Sequence, residues 1–296
     1  MSTPAQPAPA LRALLARYGL RPRKSLGQNF LVDSNALRRI VDAASLSPED
    51  FVVEVGPGPG LLTRELLSRA GKVVAVEKDE AMARLVRREL GGDAKLTVIE
   101  GDMLEIQPSS LLPGPASSYK VVANLPYYVA TPIVRLFLES ASKPLSMVVL
   151  LQREVAETVV AKPGQMGLLS VAVQYYAVPT IVGIIHPGSF YPPPKVDSAI
   201  VRLDVLQQPA IGVAANRFFE VAKAAFSARR KQIANPLAQG LGLDKAAVLA
   251  ALGTAGLAPQ RRAESLSLTE WEALCRAIEP FRTGPSSTED EGTGRG

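Results

Sequence analysis

Short apolar runs rich in β-branched residues recur along the first half of the chain: FVVEVG at 51–56, KVVAVEK at 72–78, KLTVIEGD at 95–102, YKVVANLPY at 119–127 and SMVVLLQ at 146–152. Between them lie segments such as LLTRELLSRA and AMARLVRREL, whose leucines and valines return at three- and four-residue spacing with arginines on the other face. Strand and helix periods in alternation predict a parallel sheet flanked by helices. Two more runs, TIVGIIHP and SAIVRLDV, are separated by a proline-rich loop that suits an antiparallel return at the sheet edge. After Gln207 only helical patterns follow, beginning with NRFFEVAKAAFSARRKQIANPL. The expected class is therefore α/β: a mostly parallel sheet with an antiparallel edge over residues 11–207, and a small all-helical domain over 208–282. No internal repeat is visible.

Composition sharpens the ends of this picture. The first ten residues are Ala/Pro-rich and residues 283–296 are Gly/Ser/Thr-rich. Neither segment carries enough apolar surface to offset the entropy of ordering, so both are expected to be disordered. No run approaches the roughly 18 apolar residues that a membrane-spanning helix needs, which predicts a soluble protein. From Met1 to Val32 there are basic residues and no acidic ones; an organelle transit peptide and a basic RNA-facing arm account for this equally well.

A single cysteine, Cys275, and a single histidine, His186, exclude a disulfide framework and any zinc site built mainly from sulfur and imidazole. Cys275, in TEWEALCRAIEPF, is expected in the core. His186 lies among prolines with no evident acidic orienter, and a general-base role is not assigned to it. The formal net charge of +5 suits a polyanionic partner. Its distribution is more telling: residues 206–282 hold ten Lys/Arg against six Asp/Glu, whereas the tail carries Glu289, Asp290 and Glu291 against Arg295.

The segment Glu54-Val55-Gly56-Pro57-Gly58-Pro59-Gly60 follows a strand and opens a helix, so its glycines let a ligand approach the backbone. A nicotinamide dinucleotide site would place a third glycine where Leu61 stands, which counts against that cofactor. Glu77 ends the second strand about twenty residues on, where a carboxylate can accept both hydroxyls of an adenosine ribose. Asp102 ends the third, placed to accept a hydrogen bond from an adenine amino group. Three successive strand ends thus offer the parts needed for S-adenosylmethionine.

Asn124-Leu125-Pro126-Tyr127-Tyr128 closes the fourth strand and resembles the N-P-P-Y motif of amino methyltransferases. An exocyclic adenine nitrogen is a poor nucleophile because its lone pair is delocalised into the ring. If the Asn124 amide oxygen and the Leu125 carbonyl accept the two N6 hydrogens, the nitrogen is drawn toward tetrahedral geometry with its lone pair aimed at the sulfonium methyl. The sulfonium already carries the leaving-group activation, so neither a metal nor a strong base is required. A base extracted from its stack needs aromatic faces in return; Tyr127 is the first candidate and Phe190, in the SFYPPPKV loop, the second.

These motifs together resemble the KsgA-type family of ribosomal RNA small-subunit adenine N6-dimethyltransferases, from about Arg21 to Phe281. The marks are KSLGQNFL at 24–31, EVGPGPG, EKD at 77–79, GDML at 101–104, NLPYY, SFYPPPKVDSA at 189–199 and AFSARRKQIANPL at 225–237. The resemblance implies a Rossmann-like class I methyltransferase sheet and a helical RNA-binding domain. It carries cofactor contacts onto Asn29, Leu31, Gly56, Glu77, Asp102 and Asn124, with Gly58 and Met103 beside them. It also implies the substrate, two adjacent adenosines in the 3'-terminal hairpin of 16S ribosomal RNA, each dimethylated during assembly of the small subunit. A cytoplasmic monomer acting on immature small subunits is expected. The chain reads Lys231-Gln232-Ile233-Ala234-Asn235 where many relatives carry threonine or a further asparagine.

In the second domain, Phe218, Ala222, Ala225 and Phe226 share one helical face and should pack inward. Lys223, Arg229, Arg230 and Lys231 cannot all join them; they are expected to reach solvent and to bind RNA together with Arg23 and Lys24. Two rival readings remain at this point. One is a resistance-type adenine methyltransferase of large-subunit RNA, which shares the glycine loop and an N-[LI]-P-[YF] motif. The other is a non-catalytic RNA-binding assembly or transcription factor on the same fold. The second tyrosine and the SFYPPPKVDSA loop favour the small-subunit reading over the first, and intact Glu77, Asp102, Asn124 and Tyr127 argue against the second.

Overall fold

A computed structural model describes residues 8–114, 117–228 and 231–282, which pack as two compact units. The first comprises the described residues up to Val160 together with Tyr176–Gln208. It begins with α1 (Ala8–Arg17), β1 (Phe30–Leu31), α2 (Ser34–Ala44), β2 (Phe51–Val55), α3 (Leu61–Leu67), β3 (Lys72–Glu77), α4 (Glu80–Leu90) and β4 (Leu96–Glu100). There follow β5 (Lys120–Asn124), α5 (Ala130–Glu139), β6 (Ser146–Gln152), α6 (Arg153–Val159), β7 (Ala177–Ile185), β8 (Phe190–Tyr191) and β9 (Ser198–Val205).

Seven strands form one sheet in the order β4-β3-β2-β5-β6-β9-β7. The first five are parallel, and β9 runs antiparallel between β6 and the edge strand β7. The Val-rich central strands are buried on both faces, as a helix-covered parallel sheet requires. Leu37, Ile40 and Val41 of α2 and Leu62 and Leu66 of α3 pack with Val52, Val73, Val122 and Val148 in the core. The strand order reverses at β2, between β3 and β5, so the loops after β2 and β5 leave the sheet side by side. In open α/β sheets such a switch point forms a crevice.

Local chemistry sets the helix starts. The Asp33 side chain accepts from the backbone N–H groups of Asn35 and Ala36 at the start of α2, and Asp79 accepts from that of Ala81 at the start of α4. Residues 8–10, expected to be disordered, instead open α1. The leucine spacing that continues from them puts Leu11 and Leu15 against Phe30, Val32, Met82 and Leu85, and that burial orders the turn. The remaining expectations for the termini, residues 1–7 and 283–296, lie outside the described residues.

The second unit takes Ala161–Tyr175 as well as the chain from Pro209 onward. Its helices are α7 (Leu168–Tyr176), α8 (Ala215–Phe226), α9 (Ala234–Leu241), α10 (Lys245–Thr254) and α11 (Leu268–Ile278). A single boundary near residue 207 therefore differs from the packing. Tyr175 stacks on Phe218 at 4.8 Å between ring centroids and donates its hydroxyl hydrogen to the Val213 carbonyl, and Gly164 N–H donates to the Glu264 carbonyl. These contacts fasten residues 161–175 to the later helices despite the intervening strands. Phe218, Ala222 and Ala225 are buried and Phe226 is half-buried, with Trp271 edge-on to Phe218. Cys275 is buried and free, and burial pushes its thiol up to about 12. A Ser267/Glu270 capping box starts α11.

Candidate active site

A cavity opens at the carboxyl ends of β2, β3 and β5. Its floor is made by strand ends and its roof by the segment Leu26–Phe30. Gly56, Gly58 and Gly60 all have positive φ, +68°, +54° and +82°, so the loop after β2 takes a path that other residues rarely adopt. At Gly58 a Cβ would also lie 2.8 Å from the Phe30 ring.

Glu77 is buried against this loop. One carboxylate oxygen accepts the Gly58 N–H at 2.9 Å and the other accepts the Asp79 N–H at 2.9 Å. Burial raises its pKa, against the pull of those two donors. Asp102 accepts the Leu104 N–H through one oxygen and pairs with the Lys78 ammonium at 2.6 Å through the other, which holds its carboxyl below the usual range. Both side chains line the cavity, as do Met103, Val55, Val76 and Ile133 on its apolar walls.

Asn124 ends β5. Its side-chain N–H donates to the Asn29 carbonyl at 3.1 Å, tying floor to roof and leaving the amide oxygen as the remaining acceptor. Asn29 in turn donates its side-chain N–H to the Gly27 carbonyl. Gln28 donates to Asp79 at 3.1 Å and accepts the Arg23 N–H, so the roof is anchored at both ends. Leu125 and Tyr127 line the cavity; the Tyr127 hydroxyl shares a 2.7 Å hydrogen bond with Ser198 Oγ. Tyr128 is 56% exposed at the mouth.

Of the residues expected to hold cofactor or substrate, Asn29, Gly56, Gly58, Glu77, Asp102, Met103, Asn124, Leu125 and Tyr127 thus line one cavity. Two do not. Leu31 and Phe190 pair across the short β1–β8 ladder, and their side chains, 3% and 4% exposed, pack with Leu37, Ile40 and Ile185 in the core. Phe190, expected as a second stacking face, thus packs in the core of this structure. Its neighbour Tyr191 points elsewhere, under the Arg12 guanidinium at 4.7 Å.

Arg23 and Lys24 are exposed beside the roof, Arg23 pairing with Asp79 at 3.5 Å. Lys223 and Lys231 are exposed on the second unit; Arg229 and Arg230 lie outside the described residues. His186 does have an acidic partner, Asp197, at 3.0 Å, supplied from the far side of the proline loop where sequence spacing gave no hint of it. It is exposed and does not line the cavity. Reading strand ends also missed Gln28 and Lys78, whose loop positions carry no period to mark them, and Ser198, which starts a strand rather than ending one.

Beneath the glycine loop lies Glu54, 1% exposed, with no hydrogen-bond partner for either oxygen among the described residues. Burial pushes its carboxyl up to about 8, an effect the Thr63 hydroxyl opposes and the Glu77 charge reinforces. Burial thus favours its neutral form. Its folded pKa exceeds the unfolded one, so its contribution to stability is complete below the ordinary carboxylate range and is lost as pH rises toward and through 8. The loss amounts to roughly 5 kcal/mol at most. A Glu54→Gln chain is expected to show a smaller drop in melting temperature between pH 5 and pH 8.5 than the parent. Parallel curves for the two proteins would mean that Glu54 is not the buried acid responsible.

Residues 19–278 match the family described as ribosomal RNA adenine dimethylase. A ribosomal RNA small subunit methyltransferase A of Dehalococcoides mccartyi is 46% identical over 273 residues, 90% of this chain and 94% of that protein. One of the same description from Pelotomaculum thermopropionicum is 44% identical over 91% and 95%. Among solved structures, a 23S rRNA methyltransferase ErmE superposes with a TM-score of 0.68 at 30% identity, covering 85% of this chain and all of that one. A dimethyladenosine transferase from Plasmodium falciparum does so with a TM-score of 0.73 at 23% identity, covering 85% and 98%, and so shares the fold.

Proposed function

Because this chain belongs to the ribosomal RNA adenine dimethylase family, we propose that it transfers methyl groups from S-adenosylmethionine to N6 of two adjacent adenosines in the 3'-terminal hairpin of 16S ribosomal RNA. The product is a pair of dimethyladenosines, made as the immature small subunit assembles. The observation that carries this reading is the state of Asn124. One of its two amide N–H bonds is held by the Asn29 carbonyl, which fixes the side chain with its oxygen free to accept from an amino substrate, and Leu125 lines the cavity next to it.

The cavity suits an adenosine-bearing methyl donor. Gly56 and Gly58 allow close approach of a ligand to the backbone. Each oxygen of Glu77 has accepted one N–H and has a lone pair left for a ribose hydroxyl. Asp102 can accept from an exocyclic amine, and Met103 supplies apolar contact. When bound, S-adenosylmethionine supplies a methyl group already activated on a sulfonium. What the chain must do is place the adenine amino group: Asn124 and Leu125 draw its hydrogens out of the ring plane and Tyr127 stacks the base.

The likeness to a 23S rRNA methyltransferase supports a second reading, methylation of large-subunit RNA, at 30% identity against 46% for the small-subunit enzyme. Incubating immature small subunits and, separately, large-subunit RNA with labelled cofactor decides between them. Dimethyladenosine is expected at two neighbouring positions near the 3' end of the small-subunit RNA; label confined to large-subunit RNA would reverse the assignment, and label in neither would remove the enzyme reading.

Lys223, Arg229, Arg230 and Lys231, with Arg23 and Lys24, are proposed to neutralise RNA phosphates. Each contact releases counterions, so affinity should fall steeply with salt. Replacing Arg229, Arg230 and Lys231 with alanine is expected to weaken RNA binding and to flatten the log-log salt slope by about one unit per lost contact, with cofactor affinity intact. A wild-type slope in filter-binding titrations would move RNA recognition to another surface.

A further inference from the structure

Ser198 is wholly buried, yet it stands far in sequence from every residue of the cavity floor. It opens β9 and is clamped on both sides, paired with Gln152 of β6 and with Ile185 of β7. The preceding residue is held as firmly. The Asp197 carbonyl accepts the Arg153 N–H at 3.0 Å, and the Asp197 carboxylate contacts His186 at 3.0 Å and Arg153 at 3.7 Å. The Asp197–Ser198 step is thus one of the most constrained points at this end of the sheet.

Tyr127 is in the opposite condition. It sits in the turn from Pro126 to Val129, closed by a single backbone hydrogen bond, and its neighbour Tyr128 is largely exposed. A tyrosine ring on such a turn has two torsions to settle. The 2.7 Å bond from its hydroxyl to Ser198 Oγ is what joins the ring to the rigid strand. Tyr127 also lines the cavity and carries the stacking role proposed above.

We propose that Ser198 is a positioning residue for the methyl transfer: through the Tyr127 hydroxyl it fixes the tilt of the aromatic platform on which the target adenine stacks. The inference rests on the stacking role assigned to Tyr127 above. It gives the His186–Asp197–Arg153 cluster a purpose as well, that of holding the post to which the platform is tied. Stacking depends on ring orientation, and a misplaced base loses the near-attack geometry that speeds the reaction.

Breaking the bond from either end should have the same result. Ser198→Ala and Tyr127→Phe are each expected to lower kcat about 3- to 10-fold, the range one such hydrogen bond supports, while the cofactor dissociation constant stays within about twofold. Tyr127→Phe leaves the buried strand untouched, so the question survives if Ser198→Ala folds poorly. The double variant should be no slower than the worse single one, since both remove one interaction. With 2-aminopurine at the target position of a model hairpin, both variants should show weaker quenching of the stacked base. Single variants at wild-type rate, or single effects that multiply in the double variant, would overturn the anchor. So would a Ser198→Ala protein that melts lower but turns over normally per folded molecule, because a merely structural serine predicts that. Tyr127→Ala separates the two levels: severe loss there beside a normal Ser198→Ala rejects only the anchor, whereas a normal Tyr127→Ala rejects the platform and the anchor with it.

Discussion

Asn124→Ala is expected to reduce turnover by at least two orders of magnitude while leaving cofactor affinity within about threefold of the parent. Removal of one preorganised acceptor or donor at a reacting centre typically costs a factor of about 10²–10³ in kcat. In the proposed arrangement the acceptor faces a nitrogen whose lone pair is conjugated with the ring, so its loss should strike the chemical step rather than ground-state binding. The substitution also removes the hydrogen bond to the Asn29 carbonyl. For that reason cofactor binding must be measured alongside: a parallel collapse of affinity would show that Asn124 serves to close the roof. Turnover within about threefold of wild type would remove the role given to its amide oxygen.

Glu77→Ala should act on the other half of the site. The carboxylate holds the Gly58 and Asp79 N–H groups, and the proposed ribose contacts use its remaining lone pairs. Alanine therefore deletes a ligand contact and leaves two buried donors without an acceptor, each worth about 1–3 kcal/mol when orphaned. The cofactor dissociation constant is expected to rise by tenfold or more, with kcat at saturating cofactor close to that of the parent, because the lost contact exists equally before and during the reaction. Titration calorimetry reads this directly. An unchanged constant would reject the ribose assignment.

The parts of this protein that were legible in its sequence are those where a period or a strand end does the marking. Seven of the nine strands announce themselves as β-branched runs between helical stretches, and the cavity-lining residues at strand ends, Glu77, Asp102 and Asn124, follow from topology alone. The two-residue strands β1 and β8 are too short to carry a period. Their pairing buries Leu31 and Phe190 together, and motif position could not reveal that a phenylalanine in a proline loop turns inward to the core. Because strands follow residues 161–175, the sequence places them in the sheet domain; their packing on later helices depends on an aromatic stack between Tyr175 and Phe218, which leaves no mark on local spacing. Ser198 and Asp197 illustrate the same limit, each meeting its partner only through the fold.

The roof over the cavity has one more consequence. Asn29 and Asn124, which join roof to floor, stand 95 residues apart in the chain, and the segment between Leu26 and Phe30 is held by side-chain hydrogen bonds rather than by a long ladder. Such a segment opens locally at far less cost than the sheet beneath it. Any ligand gripped from both sides must suppress that opening, and at a hundred times its dissociation constant it would add about 2.7 kcal/mol against it. The amides of residues 27–30 then become a gauge of occupancy, exchanging with solvent roughly a hundredfold more slowly in a charged enzyme than in a starved one. Supply of methyl donor would in this way set not only how fast the enzyme works but how long its amino-terminal segment stays out of reach of proteases.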